Sequence, residues 1–254
     1  MATDPALSGL TDEQLIAAAT AAPAVFLEAA PGSGKTTVAA QRFGALRFGR
    51  RLHAAGAVDT RPVLAVSFTR SATAELRQRV RRSWGPSALA WPHRICTLDT
   101  LVNDLLHDLL AGGLITWPAG HTQLDVKDSW KALVRHGFGT AQRGAEVDAE
   151  GVVTVRVVRR YDYPRAVPEP IPMRVELAAG RCTHEDVRRI LQRSLKDRED
   201  VRQRVRERLA KSVGALIVDE VYDANGLDLY LIRQVAMAGA SVTVIGDRDC
   251  CRAG

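Results

Sequence analysis

The eight residues Ala29-Ala30-Pro31-Gly32-Ser33-Gly34-Lys35-Thr36 limit the fold more than any other feature of this chain. They follow an apolar run, Val25 to Glu28, and open a stretch from Gly34 to about Arg47 that reads as a helix. Two glycines let the backbone turn tightly, so that successive N–H groups and the helix N-terminus face one point, a ready seat for phosphate. Lys35 can then reach β- and γ-phosphates, and the Thr36 hydroxyl can ligate Mg²⁺. Ala30, Pro31, Gly32, Ser33, Gly34 and Thr37 complete the candidate nucleotide contacts. Ala29 stands where the loop usually begins with glycine, a change the turn tolerates.

A phosphate loop on a strand–helix junction implies an α/β sheet covered on both faces, and the rest of the chain supplies the strands. Val63 to Phe68, Arg94 to Thr97, Ala215 to Asp219 and Val242 to Gly246 are short apolar runs. A second helix is expected from Ser71 to Arg82, with Ala72, Leu76 and Val80 at helical spacing and arginines on the other faces. The rhythm breaks from about Leu110 to Lys211. The expected layout is therefore a nucleotide-binding domain over 1–109 and 212–254, interrupted by a mixed or mainly helical subdomain over 110–211. Within it Val153, Val155 and Val157 alternate like a strand, and Pro164, Pro168, Pro170 and Pro172 mark an extended loop. Thr183 and Asp186 form the start of a capped helix, and Lys196 to Lys211 reads as one charged, solvent-facing helix.

The run Leu216-Ile217-Val218-Asp219-Glu220 narrows the chemistry. An apolar strand ending in two carboxylates places Asp219 to hold the Mg²⁺ shell and Glu220 to orient or deprotonate an attacking water. Kinases of small molecules seldom need the second carboxylate, whereas hydrolases do. Lys35, Asp219 and Glu220 are thus the candidate catalytic residues, with Thr36 and Asp219 as candidate metal ligands.

Net charge of +6 and a pI near 9.4 suit a polyanionic partner without naming one, and the skew of thirty arginines to five lysines marks no site by itself. Cys96, Cys182, Cys250 and Cys251 lack the paired spacing of a zinc site, which points to a reduced, cytoplasmic protein. No apolar stretch approaches the roughly 20 residues of a membrane span.

Leu10-Thr11-Asp12-Glu13-Gln14 resembles the Q motif upstream of the phosphate loop in UvrD-, Rep- and PcrA-like superfamily 1 DNA helicases. The resemblance implies that Gln14 reads the adenine edge of ATP. Leu64 to Leu76 is similar to motif Ia of that family, whose Phe-Thr turn touches single-stranded DNA. By that likeness Phe68 stacks on a base while Thr69 and Arg70 meet the backbone, although residue type alone favours a core place for Phe68. Thr97-Leu98-Asp99-Thr100-Leu101 resembles motif Ib and makes Thr97 a further DNA candidate, but Leu98 and Asp99 replace the family's aromatic and histidine.

Two departures stand close to the acidic strand end. Tyr222 occupies the place of the glutamine that couples DNA to nucleotide in the family, and Val244-Ile245-Gly246-Asp247 begins motif III but runs on into Arg248-Asp249-Cys250-Cys251 where another glutamine is usual. The likeness covers roughly Leu10 to Leu101 and Val213 to Asp247. It implies a RecA-like first motor domain that binds Mg²⁺, ATP and single-stranded DNA or DNA junctions, without the second RecA-like domain that completes the motor and brings its arginine finger. Two other readings stay open: a P-loop module whose nucleotide regulates a protein partner, and a phosphotransferase.

Overall fold

The computed structural model describes residues 10–49, 51, 58–130, 141–159 and 171–247. In chain order the helices are α1 (Asp12–Ala19), α2 (Lys35–Phe48), α3 (Arg70–Trp84), α4 (Leu98–Ala111), α5 (Ile171–Ala178), α6 (His184–Asp197), α7 (Glu199–Ser212) and α8 (Gly226–Met237). The strands are β1 (Ala24–Ala29), β2 (Val63–Ser67), β3 (Arg94–Thr97), β4 (Asp125–Lys127), β5 (Ala141–Val147), β6 (Val153–Arg159), β7 (Arg181–Thr183), β8 (Ala215–Val218) and β9 (Ser241–Asp247). The chain divides into two compact units, 1–98 with 206–254, and 99–205, so the divisions fall inside α4 and α7.

The first unit is an α/β domain on a five-stranded parallel sheet of order β1-β9-β8-β2-β3. β2 and β8 are buried along their whole length, which is why Val63 to Ser67 and Ala215 to Val218 read as continuous apolar runs rather than alternating ones. Phe43, Leu76, Val80, Ile95, Ile217 and Ile245 form its core, drawn from α2, α3 and three strands. Register aligns the strand ends: Ala29 pairs with Asp247, Val218 with Val244 and Val66, and Ser67 with Thr97. All five carboxyl ends therefore open on one edge, where ligands of open α/β sheets bind.

Arg42 on α2, fully buried, was not visible as important from sequence. Its Nε donates to the Thr243 hydroxyl on β9, and its Nη1 donates to the carbonyls of Ala18 (3.3 Å) and Thr20 (2.9 Å) at the end of α1. Burial lowers its pKa. It ties α1, and so the Gln14 segment, to the sheet.

The second unit contains a parallel pair, β4 with β7, an antiparallel pair, β5 with β6, and helices. The capping box expected at Thr183 is present: the Thr183 hydroxyl accepts from Asp186 N (3.2 Å), and the buried Asp186 carboxylate accepts from Thr183 N (3.1 Å) and from Ala145 N (2.7 Å) on β5. One expectation about these helices needs correction. The single helix from Lys196 to Lys211 is two helices, because Arg198 is extended (φ −127°, ψ 120°) and caps α6 before Glu199 and Asp200 begin α7. α7 is mostly solvent-facing, as its charged pattern implies, and buries one stripe, Val201, Val205 and Leu209. Pro172 lies in the first turn of α5, where its missing N–H carries no penalty; Pro164, Pro168 and Pro170 lie outside the described residues.

Candidate nucleotide site

β1 delivers the chain to the carboxyl edge, and the loop from Ala30 to Gly34 returns it into α2. Gly32 (φ 77°) and Gly34 (φ 87°) are both left-handed, the conformation a side chain resists and the turn requires. Lys35 Nζ donates to the carbonyls of Ala29 (3.0 Å) and Ala30 (2.9 Å) and forms an ion pair with Asp247 (3.2 Å) at the end of β9. Thr37, one residue past Thr36, accepts a hydrogen bond from Arg79 Nη1 on α3 (2.6 Å).

A cleft of about 190 Å³ lies beside this loop, lined by Lys35, Thr36, Glu75, Asp219, Glu220 and Asp247 among others. The structure thus brings together the lysine, hydroxyl and two carboxylates singled out from sequence, although Lys35 and Asp219 are 184 residues apart (219 minus 35). Asp219 is buried, with 4% exposed, and its carboxylate accepts from Glu220 N (3.1 Å). Desolvation raises its pKa, the Glu220 N–H and Lys35 pull it back, and Glu75 pushes it further up. Glu220 is also raised, first by desolvation and then by Asp219, Asp223, Asp247 and Glu75. Sequence reasoning missed Glu75 and Asp223 as members of this set; their only signal was helical or turn position, which does not reveal a shared cleft.

A second cleft of about 420 Å³ shares Lys35 and is lined by Gln14, Ala17, Phe26, Ser33 and Val38. Gln14 Nε2 donates to the Ser33 carbonyl (2.9 Å), while its Oε1 accepts from Thr11 N (3.1 Å) in the α1 capping box. The carboxamide is therefore held against the phosphate loop. Reading a base edge requires it to release at least one of these bonds.

The remaining candidates occupy the same edge of the sheet. Phe68, half-buried, and Thr69 and Arg70, exposed, form the turn after β2, and Thr97 ends β3. Thr69 caps α3 by accepting from Ala72 N (3.1 Å). Arg248, Asp249, Cys250 and Cys251 lie outside the described residues. Cys96 and Cys182 are buried and in no disulfide, and burial pushes the Cys182 pKa up. Among the described residues no helix is long and apolar enough to cross a membrane.

A parallel sheet with a glycine loop between its first strand and α2, facing an acidic strand end, defines a P-loop nucleotide-binding fold. The chain matches the AAA domain family over residues 12–251 and belongs to it; this is a P-loop-type domain found in UvrD/Rep-like helicases. No curated protein matches the chain.

Proposed function

We propose that this chain is the ATP- and DNA-binding motor domain of a UvrD-like DNA helicase. The observation that carries the reading is the convergence of Lys35, Thr36, Asp219 and Glu220 on one cleft at the carboxyl edge. Lys35 is the counter-charge for the terminal phosphates, and the Asp247 carboxylate holds it in that cleft. Thr36 and Asp219 would hold Mg²⁺, whose charge offsets that of the phosphates. The carboxylate-rich lining, with Glu75, Asp219, Glu220 and Asp247, fits a hard cation held by one or two protein groups plus phosphate and water.

In hydrolysis a water oxygen forms a bond to the γ-phosphorus as the bond to the β–γ bridging oxygen breaks, leaving ADP and inorganic phosphate. Glu220 takes the proton that the water loses. Its pKa is raised, first by burial and then by the neighbouring carboxylates, which makes it a better base than an ordinary carboxylate. The turn of Phe68 and Thr69 is the proposed contact with single-stranded DNA or DNA junctions, together with Arg70 and Thr97. In a complete motor a second RecA-like domain would add the alternating DNA grip and an arginine finger, worth roughly 10³–10⁵ in rate.

The test is equilibrium titration with labelled Mg-ATP, with and without single-stranded DNA, on the natural chain and on Lys35→Ala. The substitution weakens binding about 100-fold, equivalent to about 2.7 kcal/mol, and DNA stimulates hydrolysis in the natural chain only. Unchanged nucleotide affinity in Lys35→Ala removes the phosphate-loop assignment. A second reading, a nucleotide-regulated module without motor activity, draws on Tyr222 standing where relatives have a carboxamide; ATP binding with no DNA stimulation at any salt concentration selects it.

A further inference from the structure

Glu220 has an unusual backbone. It is a non-glycine residue at φ 61° and ψ 44°, left-handed, two residues past the buried end of β8. Such strain persists only where the surroundings over-determine it, and it gathers at functional positions. The turn that follows is short: Asp223 N donates to Glu220 O (3.0 Å), and Ala224 N to Val221 O (3.0 Å). These two bonds alone do not aim a side chain, because a single 3₁₀ turn is free to rock on its strand.

Tyr222 supplies the missing restraint. Its ring lies on Gly246 of β9 so closely that a Cβ there would meet a ring carbon at 2.4 Å. The ring also meets Phe26 of β1 edge-on, with centroids 6.5 Å apart and planes at 88°. Its hydroxyl donates to Glu28 Oε1 (2.9 Å), one residue before β1 ends. The turn carrying Glu220 is thus fastened to two strands, and they are the ones that end in Asp247 and in the phosphate loop. A glutamine at this position has no ring to rest on Gly246 and none to meet Phe26.

We propose that Tyr222 is a positioning residue: clamped by Gly246, Phe26 and Glu28, it holds the left-handed Glu220 turn at the angle that aims the carboxylate into the cleft. This rests on the reading of the cleft as a site of ATP hydrolysis, and it assigns to an aromatic clamp the turn geometry that a carboxamide cannot provide here.

The test combines Tyr222→Phe, Tyr222→Ala, Gly246→Ala, Glu28→Ala and Glu28→Gln with three measurements: Mg-ATP affinity by titration, single-turnover hydrolysis with protein in excess, and hydrogen exchange of the Asp223 and Ala224 amides. Tyr222→Ala and Gly246→Ala lower hydrolysis about tenfold or more at nearly unchanged affinity, the mark of misaimed rather than missing chemistry. Tyr222→Phe and Glu28→Ala, which lose one hydrogen bond, lower it about threefold. Glu28→Gln keeps an acceptor oxygen and stays within about twofold of the natural chain. Exchange at Asp223 and Ala224 quickens in the same order. Hydrolysis and exchange both unchanged in Tyr222→Ala overturn the proposal, as does a fall in affinity that matches the fall in rate, because Tyr222 would then touch nucleotide. Gly246→Ala unfolding leaves Tyr222→Phe to decide. If the natural chain binds no Mg-ATP, that counts against the proposed function alone; unaltered exchange in the Tyr222 variants then rejects the clamp.

Discussion

Asp59 and Asp219 are almost equally buried, 7% and 4% exposed, and lie at opposite ends of the same parallel sheet. At the amino edge, burial works against the Asp59 charge, but Arg61 outweighs it with side-chain bonds of 3.0 and 2.9 Å and a backbone bond of 2.9 Å, and Arg51 adds an ion pair. The carboxyl stays below its ordinary range. Arg61 also donates to the carbonyls of Ala210 (2.9 Å) and Gly239 (3.2 Å), near the ends of α7 and α8. At the carboxyl edge, Asp219 has a single backbone N–H bond and the distant help of Lys35, and its neighbours are more carboxylates. The left-handed Glu220 sits next to it. One edge of the sheet satisfies its buried charge internally; the other does not, and under the proposed function a cation and a nucleotide would satisfy it, which is how a site differs from a structural network.

That contrast breaks first at Glu220. Glu220→Gln keeps the side-chain shape but cannot take a proton, so it lowers hydrolysis about 10²–10⁴-fold while Mg-ATP affinity and melting temperature hold. A fall in stability with no fall in turnover would place Glu220 with the structural charges. Asp59→Asn gives the reverse result: the Arg51 and Arg61 guanidiniums lose their counter-charge and the fold loses about 3–5 kcal/mol, read by urea titration, with nucleotide affinity intact in the folded fraction. A change under about 1 kcal/mol would show that the amino-edge network is ornamental.

The same edge holds His93, whose Nδ1 accepts from Val63 N (3.0 Å), and whose pKa is lowered to about 4 by burial and then by Arg47 and Arg51. A histidine depressed in the folded state is neutral there, so its contribution is complete above the unfolded pKa of about 6.5 and drains away as pH falls toward 4. The loss across that window is on the order of 3 kcal/mol. His93→Asn, which retains an acceptor that does not titrate, flattens this limb of the stability profile. An unchanged profile would mean that His93 protonates without consequence.

The smallest effect has the opposite sign. Asp219→Asn removes a charge that the metal-free cleft does not satisfy, so in chelator-containing buffer at neutral pH it stabilises the fold by about 1 kcal/mol. Destabilisation on that scale would make the two buried aspartates alike and erase the comparison.

What could be read in advance follows from how local each signal is. The loop from Ala29 to Thr36 is legible because glycine, lysine and threonine spacing alone sets left-handed backbone and chemistry within one turn. β2 and β8 are legible because a strand buried on both faces is apolar almost throughout. The break at Arg198 was not, since a charged helical pattern runs across it unaltered and only the backbone shows where α6 is capped.

The sequence by itself therefore determined the P-loop class of this protein and four members of its cleft: Lys35, Thr36, Asp219 and Glu220. Tertiary structure decided how they are held. Lys35 meets Asp247, Arg42 meets Thr243 201 residues away, and Tyr222 meets Glu28 194 residues away. Each of these contacts exists because β9 inserts between β1 and β8, an order that no local pattern specifies. Propensity and periodicity act over a few residues, whereas strand order is set by packing the whole core, and the side chains that clamp the cleft become neighbours only after that order is made.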